Sequence, residues 1–200
     1  MIVKEMEKIM AYLDKYLEQE DCLVLNMNND GLEMYVEVLL YEPTEKYPFW
    51  KLITLGASDY KMPRKAKSRA RRNEYMLFVD GSVDLMVPKT LQWYYLQLLK
   101  IASHAQFHET HLTAGDCVEW LEEEGSSVVG AHLSVPAIIQ GGKGHVFWPR
   151  LFKKIVFLQA LLATREELDS LRKGEVKRLC TKEGTPRFLS EKTPKTQDEN

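Results

Sequence analysis

The chain has 200 residues, of which 44% are hydrophobic and 28% are charged. This composition is typical of a globular protein and excludes a collagen-like or wholly disordered chain. The 27 lysine and arginine residues nearly balance the 29 aspartate and glutamate residues, and the net charge is −2. That balance excludes a uniformly basic nucleic-acid coat protein and a strongly acidic tail protein. At this length we expect a single domain.

The N-terminal part of the chain predicts a helix followed by a β-hairpin. Apolar side chains recur at helical spacing between residues 2 and 17, with charged residues covering the opposite face. This pattern is typical of an amphipathic helix. Residues 23–27 are extended, residues 28–31 have the turn sequence Asn-Asn-Asp-Gly, and residues 32–41 predict the returning strand.

Two more strands and a long helix follow. Residues 50–55 predict the third strand, with Leu52 and Ile53 on opposite faces. Residues 75–79 are continuously apolar, which indicates a strand buried on both faces. Apolar residues line one face of a helix predicted from 89 to 108.

The last predicted elements are two strands and a short helix. Residues 128–135 and 155–162 predict the strands. Thr164, followed three residues later by Glu167, is the capping-box pattern that opens a helix. The order of elements predicts an α+β fold in one domain, with a mixed β-sheet and helices packed on it.

Residues 181–200 contain four basic residues, four acidic residues and two prolines, with little apolar content. We expect residues 1–180 to form the domain and residues 181–200 to be a disordered tail.

Three widely spaced cysteines indicate a reducing compartment rather than a disulfide framework. No secretory signal pattern is present, and the longest apolar stretch is shorter than the ~20 residues that cross a bilayer. A cytoplasmic location is therefore expected.

His104 and His108 lie four residues apart on the long predicted helix. That spacing lets two imidazoles share a metal ion, so a metal-dependent hydrolase using this pair and one carboxylate is one hypothesis. Ala105 replaces the glutamate that follows the first histidine in the zinc-protease signature. A solvent-facing pair near a helix C-terminus explains the spacing equally simply.

His111, Asp116 and Cys117 contain the groups of a thiol nucleophile with its base and orienting carboxylate. Nearness along the chain is no evidence for such a site, because catalytic groups meet in space. A loop that leads into a strand with a buried cysteine is the simpler interpretation. We predict no catalytic residue and no cofactor.

Residues 61–72, the basic segment, carry seven lysine and arginine residues and no acidic residue. The remaining 20 basic and 29 acidic residues give the rest of the chain a charge of −9. This layout favours recognition by charge, or a solvated surface loop. A nucleic-acid-binding protein acting through the basic segment is a further alternative. The candidate partner-binding residues are Arg64, Lys65, Lys67, Arg69, Arg71, Arg72, Glu122, Glu123 and Glu124.

Several segments together resemble the suppressor-of-fused domain family. They are the Trp-Lys-Leu-Ile-Thr-Leu-Gly-Ala-Ser-Asp sequence at 50–59, the strand at 74–79, the segment at 110–115, and the Phe-Leu-Gln sequence at 157–159 with the helix start after it. The resemblance implies an α/β sandwich without catalytic apparatus. Larger two-lobed relatives bind a transcription-factor peptide, and small bacterial members are similar to immunity proteins. The resemblance therefore implies a protein-binding immunity protein, or antitoxin, whose partner is a toxin domain encoded nearby.

Overall fold

The computed structural model describes residues 3–26, 35–65, 70–121, 125–139, 145–151 and 153–175. These residues form one α+β domain with a mixed β-sheet. The helices are α1 (Val3–Leu17), α2 (Pro88–Phe107) and α3 (Arg165–Arg172). The strands are β1 (Leu23–Leu25), β2 (Glu37–Tyr41), β3 (Phe49–Leu55), β4 (Asn73–Asp80), β5 (Cys117–Glu119), β6 (Gly130–Ser134), β7 (Val146–Arg150) and β8 (Lys153–Ala163).

The sheet has the strand order β1-β2-β3-β4-β8-β6-β5, and β7 pairs with β8 beside this path. Strands β4 and β8 are parallel, with Asn73 opposite Val156 and Leu77 opposite Ala160. The other pairings of the sheet are antiparallel. The predicted mixed sheet is therefore confirmed.

Each long helix covers one face of the sheet. Side chains of a strand alternate between faces, so Leu52 and Leu77 pack in the cluster that contains α2. Ile53 and Met76 point the other way and pack against α1. The predicted opposition of Leu52 and Ile53 is confirmed, and burial of β4 on both faces explains its continuous apolar sequence.

The capping box at the start of α3 is also confirmed, because the Thr164 hydroxyl accepts from the Glu167 backbone N–H and the Glu167 carboxylate accepts from the Thr164 N–H. The predicted turn at 28–31 and the predicted tail at 181–200 lie outside the described residues. Strand β7 is not predicted from the sequence, whereas β5 corresponds to the strand expected at Cys117 after a loop. Both are short, and β7 contains Pro149, which removes a backbone donor from the ladder.

Helix α1 owes its position to three apolar side chains that are almost completely buried, Ile9, Leu13 and Leu17. We expect Leu13→Ala to lower the free energy of unfolding by about 2–5 kcal/mol, because it leaves a cavity between α1 and the sheet. Val3→Ala on the same helix is the control, because Val3 is 70% exposed. Urea unfolding checks both variants. Equal stability of the two variants would contradict the packing of α1 on this face.

Candidate functional site

A buried carboxylate organises the loop after β3. Glu74 has no solvent exposure. Its Oε2 atom accepts a hydrogen bond from Thr54 Oγ1 at 2.7 Å, and its Oε1 atom accepts from the backbone N–H groups of Gly56 at 3.0 Å and Ser58 at 3.1 Å. Burial raises the pKa of Glu74, and these hydrogen bonds act against that rise. The Thr-Leu-Gly-Ala-Ser-Asp sequence therefore forms a loop wrapped around one carboxyl group.

The loop is fixed from two further sides. Gly56 has a φ of +119°, and a Cβ atom at this position would lie 2.1 Å from the Tyr35 carbonyl oxygen. Arg72 Nη1 donates to the carbonyl oxygens of Ser58 at 2.6 Å and Asp59 at 2.8 Å. These contacts hold the 3-10 turn Ala57–Asp59 in place and set the position of the Asp59 carboxylate.

A buried lysine links that turn to the N-terminal helix. Lys153 Nζ lies 3.0 Å from Glu5 Oε2 and 3.0 Å from Asp59 Oδ1. Arg150 Nε donates to the other oxygen of Glu5. The side chains of Glu5 and Lys153 are only 4% and 10% exposed. The start of β8, the end of β7, helix α1 and the 3-10 turn therefore meet in one ionic network.

The network shifts the pKa values of both carboxyl groups. Burial alone would raise the pKa of Glu5, but hydrogen bonds from Arg150 and Lys153 hold it below its ordinary value of 4.5. Burial alone would also raise the pKa of Asp59, but its charged hydrogen-bond donors, of which Lys153 is one, together hold it below its ordinary value of 3.8. Both groups are therefore ionised near neutral pH.

An open cleft of about 550 Å³ lies beside this network. The side chains that line it come from the basic segment and from the turn between β7 and β8. They are Lys61, Arg72, Arg150, Leu151 and Lys153. We call this feature the cationic cleft. Its volume is in the range of sites that hold small molecules.

The structure places the predicted partner-binding residues in different surroundings. Arg64 and Lys65 are exposed, and Lys65 Nζ lies 3.7 Å from Asp116 Oδ1. Arg71 donates from Nε to the Met62 carbonyl oxygen at 2.6 Å, and Arg72 lines the cationic cleft. Lys67, Arg69, Glu122, Glu123 and Glu124 lie outside the described residues. Binding of a partner by this set stays a prediction.

The histidine pair of α2 is closely packed. The rings of His104 and His108 have centroids 4.2 Å apart, and burial together with the neighbouring His108 lowers the pKa of His104 to about 4. Within the described ranges, no group of three or more histidine, cysteine, aspartate or glutamate side chains is arranged to hold a metal ion. A metal site built on this pair has no third ligand from that part of the chain.

The structure separates the groups of the thiol hypothesis. His111 Nδ1 lies 3.0 Å from the Pro63 carbonyl oxygen, whereas Cys117 Sγ lies 3.7 Å from Nδ1 of a different histidine, His132. Burial raises the pKa of the Cys117 thiol, so the protonated form is favoured. The Cys117–His132 pair joins β5 to β6 across the sheet.

Sequence reasoning missed three members of the ionic network, Glu5, Arg150 and Lys153. Glu5 belongs to the charged pattern of an amphipathic helix, and nothing in that pattern marks it as buried. The cations at 150, 153 and 154 indicate a basic turn, but they do not indicate what the turn contacts. Only the pairing of β8 with β4 brings that turn to the basic segment.

The architecture is an α/β sandwich, with a mixed sheet between α1 and α2. The model of the suppressor of fused protein (SUFU) family matches residues 30–191. The chain therefore belongs to the suppressor of fused family. A comparison with curated proteins gives no match.

Solved structures share the fold at low sequence identity. A crystal structure of the Sufu–Fu complex has a TM-score of 0.59 and 13% identity, over 84% of this chain and 79% of that one. A putative SUFU homologue from Neisseria gonorrhoeae has a TM-score of 0.57 and 13% identity, over 86% of this chain and 84% of that one. Drosophila Suppressor of Fused has a TM-score of 0.54 and 15% identity, and the match covers 81% of this chain but 42% of that protein.

Among the described residues, no helix is long and apolar enough to span a membrane.

We expect Gly56→Ala to destabilise the loop around Glu74. The new methyl group would meet the Tyr35 carbonyl oxygen, which is backbone and cannot rotate away. The expected loss is about 3 kcal/mol in the free energy of unfolding. Gly115→Ala is the matched control: Gly115 also has a positive φ, but nothing lies within 4 Å of its Cβ position, so the expected loss is about 1 kcal/mol. Denaturant unfolding measures both, and equal losses would contradict this interpretation.

The lowered pKa of Glu5 predicts a pH dependence of stability. A carboxyl group whose pKa is lower in the folded state stabilises the fold above its unfolded value of 4.5, and this contribution is lost as the pH falls through the folded-state pKa. We expect Glu5→Gln to lower the free energy of unfolding at pH 7 by about 1–3 kcal/mol and to flatten its decline below pH 4.5. Glu7→Gln, at an exposed position of α1, is the control. Urea unfolding between pH 3 and pH 7 measures the effect, and identical pH profiles for the two variants would refute it.

Proposed function

We propose that this chain is a non-enzymatic protein-binding domain that acts in the cytoplasm. Its proposed role is that of an immunity protein, or antitoxin, which neutralises a partner toxin by direct binding. The observation that carries the proposal is the likeness to a family member solved as the Sufu–Fu complex, which extends over 84% of this chain. A domain of this architecture thus forms a complex in at least one relative.

The charge layout supports recognition of a macromolecule. Outside the basic segment the chain carries a net charge of −9, and this net charge attracts a positively charged partner. Long-range attraction raises the association rate of such a pair. An acidic surface also competes with nucleic-acid phosphates for the binding surface of a basic nuclease. A toxin domain with a basic active surface is therefore the partner class that this proposal names.

Two groups of residues are proposed as contact points. The first group comes from the basic segment, in which Arg64 and Lys65 are exposed; its members are Arg64, Lys65, Lys67, Arg69, Arg71 and Arg72. The three glutamates at 122–124 supply a concentrated negative charge in the sequence. Rim charges of this kind tune the association rate more than the final affinity.

The test is co-expression with the product of the adjacent open reading frame. We expect that product to inhibit growth when it is expressed alone, and this chain to restore growth and to co-purify with it in a 1:1 complex. A chain carrying Leu13→Ala, which weakens the fold, is the control for rescue that depends on folded protein. Absence of both a complex and protection would contradict the proposal.

The electrostatic part of the proposal has its own measurement. The association rate of the purified pair should fall by about tenfold or more between 50 mM and 500 mM salt, because screening shortens the reach of the acidic surface. Stopped-flow mixing measures this rate. A complex whose association rate does not change with salt would still be a complex, but it would contradict recognition through the charge of the body.

A further inference from the structure

The cationic cleft has more positive than negative charge. Four cations line it, and two carboxylates, Glu5 and Asp59, lie in the ionic network beside it. Lys153 forms ion pairs with both carboxylates, and Arg150 forms a second ion pair with Glu5. In the described part of the chain, no carboxylate lies within 4 Å of the Lys61 amine or the Arg72 guanidinium. The cleft therefore carries about two positive charges that its own acidic groups do not balance.

Arg72 is held in a fixed orientation at the wall of the cleft. Nη1 donates to the carbonyl oxygens of Ser58 and Asp59, which fixes the plane of the group while the side chain still lines the cleft. Burial lowers the pKa of Arg72; the charges of Asp59 and Glu5 act against this shift, and the like charges of Arg150 and Arg71 act with it. Such crowding of cations is relieved when an anion binds between them.

The charge and the volume together indicate the class of ligand. A phosphate monoester carries close to two negative charges at neutral pH, which matches the excess in the cleft, whereas one carboxylate would leave a cation unbalanced. Guanidinium groups bind phosphate through paired hydrogen bonds, and a lysine adds a mobile point charge. A cleft of about 550 Å³ holds a molecule of roughly nucleotide size rather than a bare ion. Leu151 supplies apolar surface at the rim, where it is 79% exposed.

We propose that the cationic cleft is a binding site for a small phosphorylated molecule, a ligand different from the protein partner named above. Lys61 and Arg72 make the direct contacts with the phosphate. Arg150 and Lys153 contribute charge, and Glu5 and Asp59 hold those two cations in position. No bond is made or broken in this site.

The test uses inorganic pyrophosphate and adenosine monophosphate as probes, titrated into the full chain by calorimetry at constant ionic strength with chloride as the reference salt. Lys61→Gln is the informative variant, because Lys61 is exposed and its removal leaves the ionic network intact. Lys173→Gln is the matched control. Lys173 is exposed just after α3, which follows the C-terminal end of β8. The cleft lies at the other end of β8, a strand about 33 Å long at ~3.3 Å per residue.

We expect both probes to bind the unaltered chain, and Lys61→Gln to weaken binding by about tenfold while Lys173→Gln leaves it unchanged. Nitrogen-detected spectra of the arginine side chains should show the Arg72 signal shifting on titration. Binding no stronger than that of chloride would overturn the proposal, and so would equal weakening by the two variants. A twelve-nucleotide single-stranded DNA is the third probe: if it alone binds, the cleft belongs to a nucleic-acid surface and the small-molecule site is refuted.

Discussion

The parallel pairing of β4 with β8 is the contact on which the cationic cleft depends. Parallel strands start at the same edge of a sheet, so the residues that precede or begin each strand become neighbours. Arg72 directly precedes β4, its carbonyl oxygen accepts from the Val156 backbone N–H at 2.9 Å, and Lys153 begins β8. Two segments about 80 residues apart in the sequence thus supply one cluster of cations.

The same edge of the sheet contains two buried carboxyl groups whose hydrogen-bonding needs are met in different ways. Glu74 has three hydrogen-bond donors and no cation in contact among the described residues. Glu5 is instead paired with Lys153 and Arg150. Buried ion pairs contribute little net stability, because the loss of hydration offsets their attraction. Their clearer effect here is positional, since Glu74 fixes the loop and Glu5 fixes the cations.

Local sequence patterns predicted most of the helices and strands but not the cationic cleft. The helical stripe of α1, the apolar run of β4 and the capping box of α3 each depend on residues within one turn or one strand, and a single sequence contains that information. Lys51 shows the limit of such local information. Strand β3 is predicted correctly, yet nothing in its sequence indicates that this lysine is fully buried. Its Nζ donates to the Glu42 carbonyl oxygen at 2.6 Å, and burial lowers its pKa to about 8. The cationic cleft requires contacts between distant segments, which no local pattern encodes.

The two proposals for this chain are coupled through charge. Outside the basic segment the chain has a net charge of −9, whereas the side chains that line the cleft are mostly cations. A dianion bound in the cleft would offset the excess of about two positive charges there. If a basic toxin domain binds the acidic body, occupancy of the cleft would then favour the toxin complex, and by thermodynamic reciprocity the toxin would favour the dianion. If both proposals hold, a ligand at the start of β8 would regulate toxin binding through charge, without a conformational change.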